Sequence, residues 1–245
     1  MKNKEQWSPS KYVLKNGRLK ASKNKKDVTI SSRLFVDLVA SFYQENIPLY
    51  VSGNLLDLGC GKVPLYAAYE NYISDVTCVD WQNTIHKNPF LDIETDINQP
   101  LPIENENFDT VILSDVLEHI RKPEELIAEI HRIMKPNGKF MLNVPFFYWL
   151  HEQPFDYFRY TKFALQSMLE DAGFKVLKLE PMGGIPEIMT DIFCKNVLVA
   201  PVIGKPTVLL SQFITRLFLK TGIGKKVSKK TAEKFPLGYF VVVEK

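Results

Sequence analysis

The sequence predicts an α/β fold in which helices cover both faces of a mostly parallel, doubly wound sheet. Three observations predict this fold. Short apolar runs alternate with amphipathic helical segments along the 245-residue chain, as in proteins whose parallel strands are joined by helices. Some of these runs end in a glycine or an acid, which is typical of the sheet edge where ligands bind. The hydrophobic share of 45% is enough for one sizeable core.

Strands are predicted where short apolar runs stand between polar segments. In chain order they cover residues 55–58, 76–79, 92–96, 110–113, 140–144, 175–179 and 239–243. Helices are predicted where apolar residues recur at helical spacing. They cover residues 29–45, 65–72, 123–134, 161–172 and 208–220. Ser31 or Ser32 is the predicted cap of the first helix, residues 136–138 end the third, and Gly173 ends the fourth.

The turn after the first predicted strand is the most informative motif. An apolar run there contains Asp57 and ends in Gly59, Cys60 and Gly61, and the next apolar run ends in Asp80. Glycines let the backbone approach a ligand closely, and a carboxylate after the second strand accepts hydrogen bonds from ribose hydroxyls. The pattern therefore predicts a ligand with a small polar end and a ribose. A plain glycine turn without a ligand is the alternative.

Two ligand classes fit this geometry, a dinucleotide and S-adenosylmethionine. A dinucleotide site needs the pattern G-x-G-x-x-G with its pyrophosphate on a helix N-terminus, but Pro64 stands at the third glycine position. Asp57 would also repel a phosphate, whereas it would attract the cationic amino-acid end of S-adenosylmethionine. The turn therefore favours the methyl donor.

The chain resembles class I S-adenosylmethionine-dependent methyltransferases, from about residue 55 to 184 and again at 237–243. The resemblance implies a Rossmann-like, seven-stranded sheet and S-adenosylhomocysteine as a product. It places the methionine end at the glycine turn, the ribose at Asp80 and the adenine amino group at Asp96, for which a loop cap is the alternative. The cofactor-binding residues that it implies are Asp57, Gly59, Cys60, Gly61, Asp80, Trp81, Asp96, Ile97, Ser114 and His119. For His119 a structural role is equally well supported.

Residues 150–161 resemble enzymes of bacterial cell-surface polysaccharide and glycolipid pathways, which implies a sugar or lipid-linked glycan acceptor. Ser114 and Asp115 replace the Asn/Asp-Pro-Pro-aromatic run of enzymes that methylate amines, so a hydroxyl acceptor is favoured. Such an acceptor needs a base. His151 is the predicted base, Asp156 is predicted to orient it, and Asp115 is a third candidate catalytic residue.

Aromatic residues and an arginine beside His151 are the predicted substrate contacts. Tyr148 and Trp149 are expected to form a wall for the acceptor, and Arg159 to hold a phosphate or carboxylate on it. The alternative is that His151, Asp156 and Arg159 only fasten a loop. The four histidines are scattered and lack cysteine partners, so the sequence predicts no metal site. His86 and His131 are expected on the surface or on helices.

Residues 1–27 form a basic extension of the methyltransferase domain, which is assigned to residues 28–245. The first 26 residues contain nine Lys or Arg and one Glu, which predicts a solvated tail. A lid over the active site, an anionic membrane and nucleic acid are the alternatives. A nucleic-acid methyltransferase is therefore a second hypothesis, disfavoured because the net charge is only +3. A non-catalytic scaffold that binds the methyl donor is a third.

A helical insertion is predicted at residues 185–235. Within it, residues 208–220 carry an apolar stripe and residues 225–230 a lysine cluster. The favoured interpretation is a helix that covers the sheet or builds a homodimer, and peripheral membrane contact through residues 208–230 is the alternative. Three cysteines without paired spacing predict buried, reduced thiols in a cytoplasmic protein. Neither a signal peptide nor a membrane-spanning segment is predicted.

Overall fold

A computed structural model describes residues 1–81 and 88–245. The strands in this part of the chain are β1 (Tyr12–Lys15), β2 (Arg18–Ala21), β3 (Asn54–Leu58), β4 (Asp75–Asp80), β5 (Ile93–Glu94), β6 (Phe108–Ser114), β7 (Met134–Pro145), β8 (Lys175–Met182) and β9 (Gly238–Glu244). The helices are α1 (Arg33–Tyr50), α2 (Tyr66–Tyr69), α3 (Pro123–Ile133), α4 (Lys162–Asp171), α5 (Ile185–Val197), α6 (Gly204–Lys220) and α7 (Gly222–Ala232). His86 lies outside the described residues.

Seven strands form one sheet in the order β5-β4-β3-β6-β7-β9-β8. The first five are parallel, and β9 runs antiparallel between β7 and β8. This confirms the predicted fold class. The strand order reverses between β3 and β6, so their carboxyl ends meet at the point where open α/β sheets bind ligands.

Apolar layers cover both faces of the sheet. Alternate residues of β3 point to opposite layers, since Leu55 belongs to one core cluster and Leu56 and Leu58 to the other. The first layer contains α1, with Tyr43 fully buried, and the second contains α3, with Ile127 fully buried. Each buried aliphatic side chain contributes about 1.5–3 kcal/mol, so these two layers fix the sheet that carries the site.

Helix ends agree only in part with the predictions. Gly173 follows α4 with φ +94°, as predicted, and Thr161 caps its start by accepting a hydrogen bond from the amide of Ala164 at 3.2 Å. Ser32 occupies the N-cap position of α1, as one of the two predicted caps, but its side chain makes no capping hydrogen bond. Residues 136–138 do not end α3 either. That helix ends at Ile133, because the chain becomes extended at once and β7 begins there.

The N-terminal segment is folded, so the predicted solvated tail is wrong. Strands β1 and β2 form an antiparallel hairpin that packs on α1, with Tyr12 and Leu19 buried. The amide of Leu19 donates to Gln44 and the amide of Ala21 to Asp37, both at 2.8 Å. Tyr12 and its cross-strand partner Ala21 are both buried, and α1 supplies the acceptors that the edge strand of the hairpin lacks. These contacts outweigh the charge of the segment.

Helix α6 packs through its polar face. Gln212 is buried and donates to the backbone of the turn before α1, and Arg216 pairs with Asp37 at 2.9 Å. The apolar stripe is solvent-exposed, so the prediction that the helix covers the sheet is wrong, whereas its alternative, a homodimer interface, stays a prediction. The exposed stripe comprises Leu209, Leu210, Phe213, Ile214, Leu217 and Phe218. No helix in the described part of the chain is long and apolar enough to cross a membrane.

Candidate active site

A cleft with a volume of about 340 Å³ lies at the carboxyl ends of β3, β6 and β7. Residues of the predicted cofactor and acceptor sites line it together, and the N-terminal segment closes part of it. The lining includes Ser10, Lys11, Gly59, Cys60, Gly61, Ser114, Asp115, Glu118, Tyr148 and His151. The glycine turn and the predicted base thus share one cleft.

The turn after β3 needs glycine at two positions for different reasons. Gly59 has φ +67°, and a Cβ there would lie 2.6 Å from a methyl group of Val116. Gly61 has φ +49°, but a Cβ there would meet no atom of the described residues within 4 Å. Since Gly61 lines the cleft, the space beside it is free for a ligand. Glycine at position 61 therefore leaves room in the cleft, whereas glycine at position 59 makes room for Val116.

Two carboxylates hold this turn. Asp57 is buried and accepts a hydrogen bond from the Tyr69 hydroxyl at 2.9 Å, and burial raises its pKa from the usual 3.8 to about 7. Asp80 accepts from the amides of Gly61 and Trp81, both at 2.8 Å. Burial also raises the pKa of Asp80. These two hydrogen bonds from backbone amides place the Asp80 carboxylate at the glycine turn, as the sequence predicts.

The residues after β6 form a buried polar group. Ser114 and Tyr43 donate hydrogen bonds to the Asn143 side-chain oxygen at 2.9 and 2.8 Å. Asp115, at φ +53°, accepts from the amide group of Asn143 and pairs with Lys11 at 2.6 Å. Burial alone would lower the pKa of Lys11, but the Asp115 carboxylate raises it. Lys11 therefore neutralises Asp115 inside the cleft.

The structure brings His151 and Asp156 together, as the sequence predicts. The imidazole Nδ1 lies 3.3 Å from an Asp156 oxygen, and the same carboxylate accepts from the His151 amide at 3.0 Å. Arg159 forms two hydrogen bonds to Asp156, at 2.6 and 2.7 Å. Burial would raise the pKa of Asp156, but Arg159 and the His151 amide lower it to about 2. Asp156 is therefore a fixed anion behind the imidazole.

Glu118 is a site residue that the sequence reasoning missed. Its side chain is fully buried, and its Oε1 lies 3.7 Å from His119 Nε2 and 3.6 Å from His151 Nε2. Burial raises the pKa of Glu118. For His151, burial acts to lower the pKa, but Glu118 raises it above its usual value. The prediction that the histidines are scattered is wrong for His119 and His151, whose ring centroids are 4.8 Å apart.

Comparison with known proteins identifies the part of the chain that builds this cleft. Residues 56–142 match the family model of the methyltransferase domain. These residues are a class I S-adenosylmethionine-dependent methyltransferase domain. Demethylmenaquinone methyltransferase of Chlamydia caviae is 36% identical over 94 residues, which cover 34% of this chain and 40% of that protein. The chain therefore matches less than half the length of this curated relative.

Solved structures confirm the fold of the methyltransferase domain. A methyltransferase of Archaeoglobus fulgidus aligns with a TM-score of 0.54 and 18% identity, covering 85% of this chain and 94% of that one. The [4+2]-cyclase SpnF aligns with a TM-score of 0.57 and 17% identity, covering 97% and 87%. Phosphoethanolamine N-methyltransferase 2 of Haemonchus contortus, solved with S-adenosylmethionine, has a TM-score of 0.52 at 15% identity, covering 91% and 57%.

The residues of the methyltransferase domain fit its cofactor, S-adenosylmethionine. Gly61 lines the cleft, and Asp80 accepts a hydrogen bond from its amide, so the turn has room for a ligand next to a carboxylate. Asp57 is buried against Tyr69, and the contacts of Asp57 with the amino-acid end and of Asp80 with the ribose stay predictions. Asp96 holds Asn98 with two hydrogen bonds of 2.9 Å, which is the loop cap that the sequence left open. Ile97 packs in the core, and Trp81 lies edge-on to Phe155. The adenine contacts of Asp96 and Ile97 stay predictions.

The predicted substrate residues of the domain differ in position. Tyr148 lines the cleft, where its ring packs against Phe35 at 4.7 Å and against the Lys195 ammonium at 3.4 Å. Trp149 is 54% exposed at the surface beside it. Arg159 is bound to Asp156 and to the Trp149 carbonyl oxygen, so it also fastens this loop. Its contact with the acceptor stays a prediction.

Proposed function

We propose that this chain transfers the methyl group of S-adenosylmethionine to a hydroxyl of a sugar or lipid-linked glycan. One observation supports the proposal above all others. A single cleft joins the glycine turn of the methyltransferase domain to the imidazole of His151, behind which lies Asp156. A donor held at the turn and an acceptor held at His151 would therefore meet in one cleft.

The residues of the cleft divide the work of the reaction. S-adenosylmethionine supplies an activated methyl group, so the protein mainly has to align donor and acceptor. Gly61, Asp57 and Asp80 would hold the donor, and Tyr148 would bound the acceptor. His151 is the candidate base for the acceptor proton, because Asp156 fixes its ring and its Nε2 faces Glu118 in the cleft. Asp115 is less suited to that role, since Lys11 and Asn143 occupy its carboxylate.

The outer surface of α6 supports a lipid-linked acceptor. Phe213 and Ile214 are 57% and 56% exposed, and the adjacent α7 carries the exposed residues Lys226 and Lys230. An apolar face flanked by lysines is suited to the interface of an anionic membrane. Peripheral contact there would keep the enzyme beside an acceptor anchored in the lipid.

Vesicle binding tests the membrane contact. Vesicles with anionic lipid should retain the wild-type chain, and the change Phe213→Ser with Ile214→Ser should reduce the bound fraction at least tenfold. Phe163→Ser removes an even more exposed aromatic residue, 72% exposed, from another helix and should leave binding unchanged. Equal binding by all three proteins would overturn the membrane contact.

Calorimetric titration with S-adenosylmethionine tests the cofactor site, with NAD as the comparison ligand. Asp80→Ala should weaken binding of the methyl donor at least tenfold, because the carboxylate holds the turn through the Gly61 amide. Asp75→Ala at the opposite end of the same strand is the matched control and should bind normally. Equal affinity in both variants would remove Asp80 from the site.

The competing function is a scaffold that binds S-adenosylmethionine without transferring its methyl group. SpnF shares this fold but is described as a [4+2]-cyclase, so the fold alone does not establish methyl transfer. Transfer of a labelled methyl group to glycan or glycolipid acceptors decides between the two. Binding of the methyl donor without transfer to any hydroxyl acceptor would favour the scaffold.

A further inference from the structure

Three potential ligand atoms converge beside the cleft. An oxygen of Glu118, a ring nitrogen of His119 and a ring nitrogen of His151 all lie within 4.8 Å of one another. Donor atoms around a tetrahedral ion with bonds of about 2.1 Å are about 3.4 Å apart. The two carboxylate–imidazole separations, 3.6 and 3.7 Å, are close to that value.

Neighbouring groups determine which nitrogens carry hydrogen. His119 Nδ1 lies 3.0 Å from the backbone carbonyl oxygen of Phe155. Because that oxygen can only accept, Nδ1 must be the protonated nitrogen. His151 Nδ1 lies 3.3 Å from the Asp156 carboxylate but makes no hydrogen bond among the described residues, so only the nearby anion favours a proton on this nitrogen. With both Nδ1 atoms protonated and the rings neutral, both Nε2 lone pairs point toward Glu118.

Glu118, His119 and His151 come together with several hydrogen-bond acceptor atoms that have no donor in the described part of the chain. Both oxygens of Glu118 and the Nε2 of His119 are buried and lack a hydrogen-bond partner among the described residues. Glu118 itself is 0% exposed. A buried carboxylate that faces two nitrogen lone pairs is strongly unfavourable unless a proton or a metal cation lies between them.

We propose that Glu118, His119 and His151 bind one divalent transition-metal ion. Two imidazoles and one carboxylate are the ligand set that Zn²⁺, Fe²⁺ and Mn²⁺ accept, with further positions left open for water or substrate. Ligating histidines typically donate their other ring N–H to a carbonyl or a carboxylate. Phe155 and Asp156 are in those positions, and Arg159 holds the Asp156 carboxylate in place.

The position of this metal site gives the ion a role that rests on the proposed function. Glu118 and His151 line the cleft, so an open coordination position would face an acceptor. A hydroxyl bound to a divalent ion loses its proton more readily. With the ion in place, His151 would be a ligand, and the ion rather than the free imidazole would activate the acceptor.

Metal binding can be measured on the whole chain without any activity. After dialysis against a chelator, the protein is titrated with Zn²⁺ by calorimetry and with Co²⁺ by visible absorption. We expect one equivalent of either ion to bind. Glu118→Gln should weaken binding at least tenfold, and His119→Ala should do the same. His131→Ala, in a histidine of α3 packed on Phe174, is the matched control and should bind normally.

The outcomes separate this inference from the proposed function. Failure of the wild-type chain to bind either ion at 1 mM, or equal binding in all variants, would overturn the metal site, and the cluster would then hold protons instead. Circular dichroism and urea unfolding show whether each variant is folded, and Glu118→Gln, which keeps the side-chain volume, is the variant that decides if an alanine variant unfolds. S-adenosylmethionine is titrated into the same samples, so loss of donor binding would refute the proposed function while the metal result stood.

Discussion

The two glycines of the turn after β3 offer a matched pair of substitutions. Gly59→Ala places a Cβ in the left-handed region, which costs about 1–2 kcal/mol, and presses it to 2.6 Å from Val116. The valine side chain is stiff at χ1, so this overpacking adds about 1–3 kcal/mol. Gly61→Ala carries the same backbone cost, but its Cβ meets no atom within 4 Å in residues 1–81 and 88–245. We therefore expect Gly59→Ala to lower the free energy of unfolding by about 2–5 kcal/mol, and Gly61→Ala by about 1–2 kcal/mol.

Ligand binding should show a different order of effects. The new Cβ of Gly61→Ala points into the open space of the cleft, so S-adenosylmethionine should bind at least tenfold more weakly although the fold persists. Urea unfolding gives the stabilities, and calorimetric titration gives the affinities. A variant that binds the methyl donor normally with alanine at position 61 would contradict the assignment of this space to the cofactor.

A double-mutant cycle isolates the steric part of the Gly59 effect. Val116→Ala removes both methyl groups that a Cβ at position 59 would contact, at 2.6 and 2.9 Å. The double variant Gly59→Ala with Val116→Ala should therefore be more stable than the sum of the single effects by about 1–3 kcal/mol. A coupling energy near zero, or equal destabilisation by Gly59→Ala and Gly61→Ala, would refute the steric reasoning.

Two further predictions concern buried charges. The raised pKa of Asp57 means that the folded chain keeps a proton that the unfolded chain loses, so stability is fully present below pH 3.8 and decreases as the pH rises to about 7, by at most about 4 kcal/mol. Asp57→Asn should flatten this decrease in urea unfolding at pH 5 and pH 8, and an unchanged slope would contradict it. Lys11→Met leaves Asp115 unpaired and should cost about 1–3 kcal/mol. Lys15→Met, at an exposed position of the same hairpin, is the control. Equal losses of stability in the two variants would mean that the pair of Lys11 and Asp115 does not stabilise the fold.

Much of the sheet could be predicted because its signals are local. The buried parallel strands are continuous apolar runs, and β3 and β4 were found within one or two residues of their ends. The positions of Asp80 and His151 followed from the same local signals, because a residue after a parallel strand must lie at the carboxyl edge. The close approach of Asp156 to His151 was predictable since Asp156 follows five positions after His151 in one loop.

The N-terminal hairpin could not be predicted because its stability is not local. Its two strands have four residues each, too few to be stable alone. Gln44 and Asp37 of α1 accept hydrogen bonds from the amides of the hairpin, and no local sequence pattern shows that these residues will meet.

The exposure of the α6 stripe could not be predicted for a related reason. Its spacing shows an apolar face, but which face packs depends on the contacts of Gln212 and Arg216.

Glu118 shows most clearly what the sequence leaves out. It and Asp115 are both acids in the segment after β6, and both are drawn into the same cleft. Lys11 crosses from the far end of the chain to neutralise Asp115 at 2.6 Å. Glu118 is more deeply buried, and its charged or ionisable neighbours among the described residues are the two imidazoles. No lysine reaches Glu118 in that part of the chain, so a positive charge has to come from a protonated imidazole or from a bound cation, and the metal titration distinguishes the two.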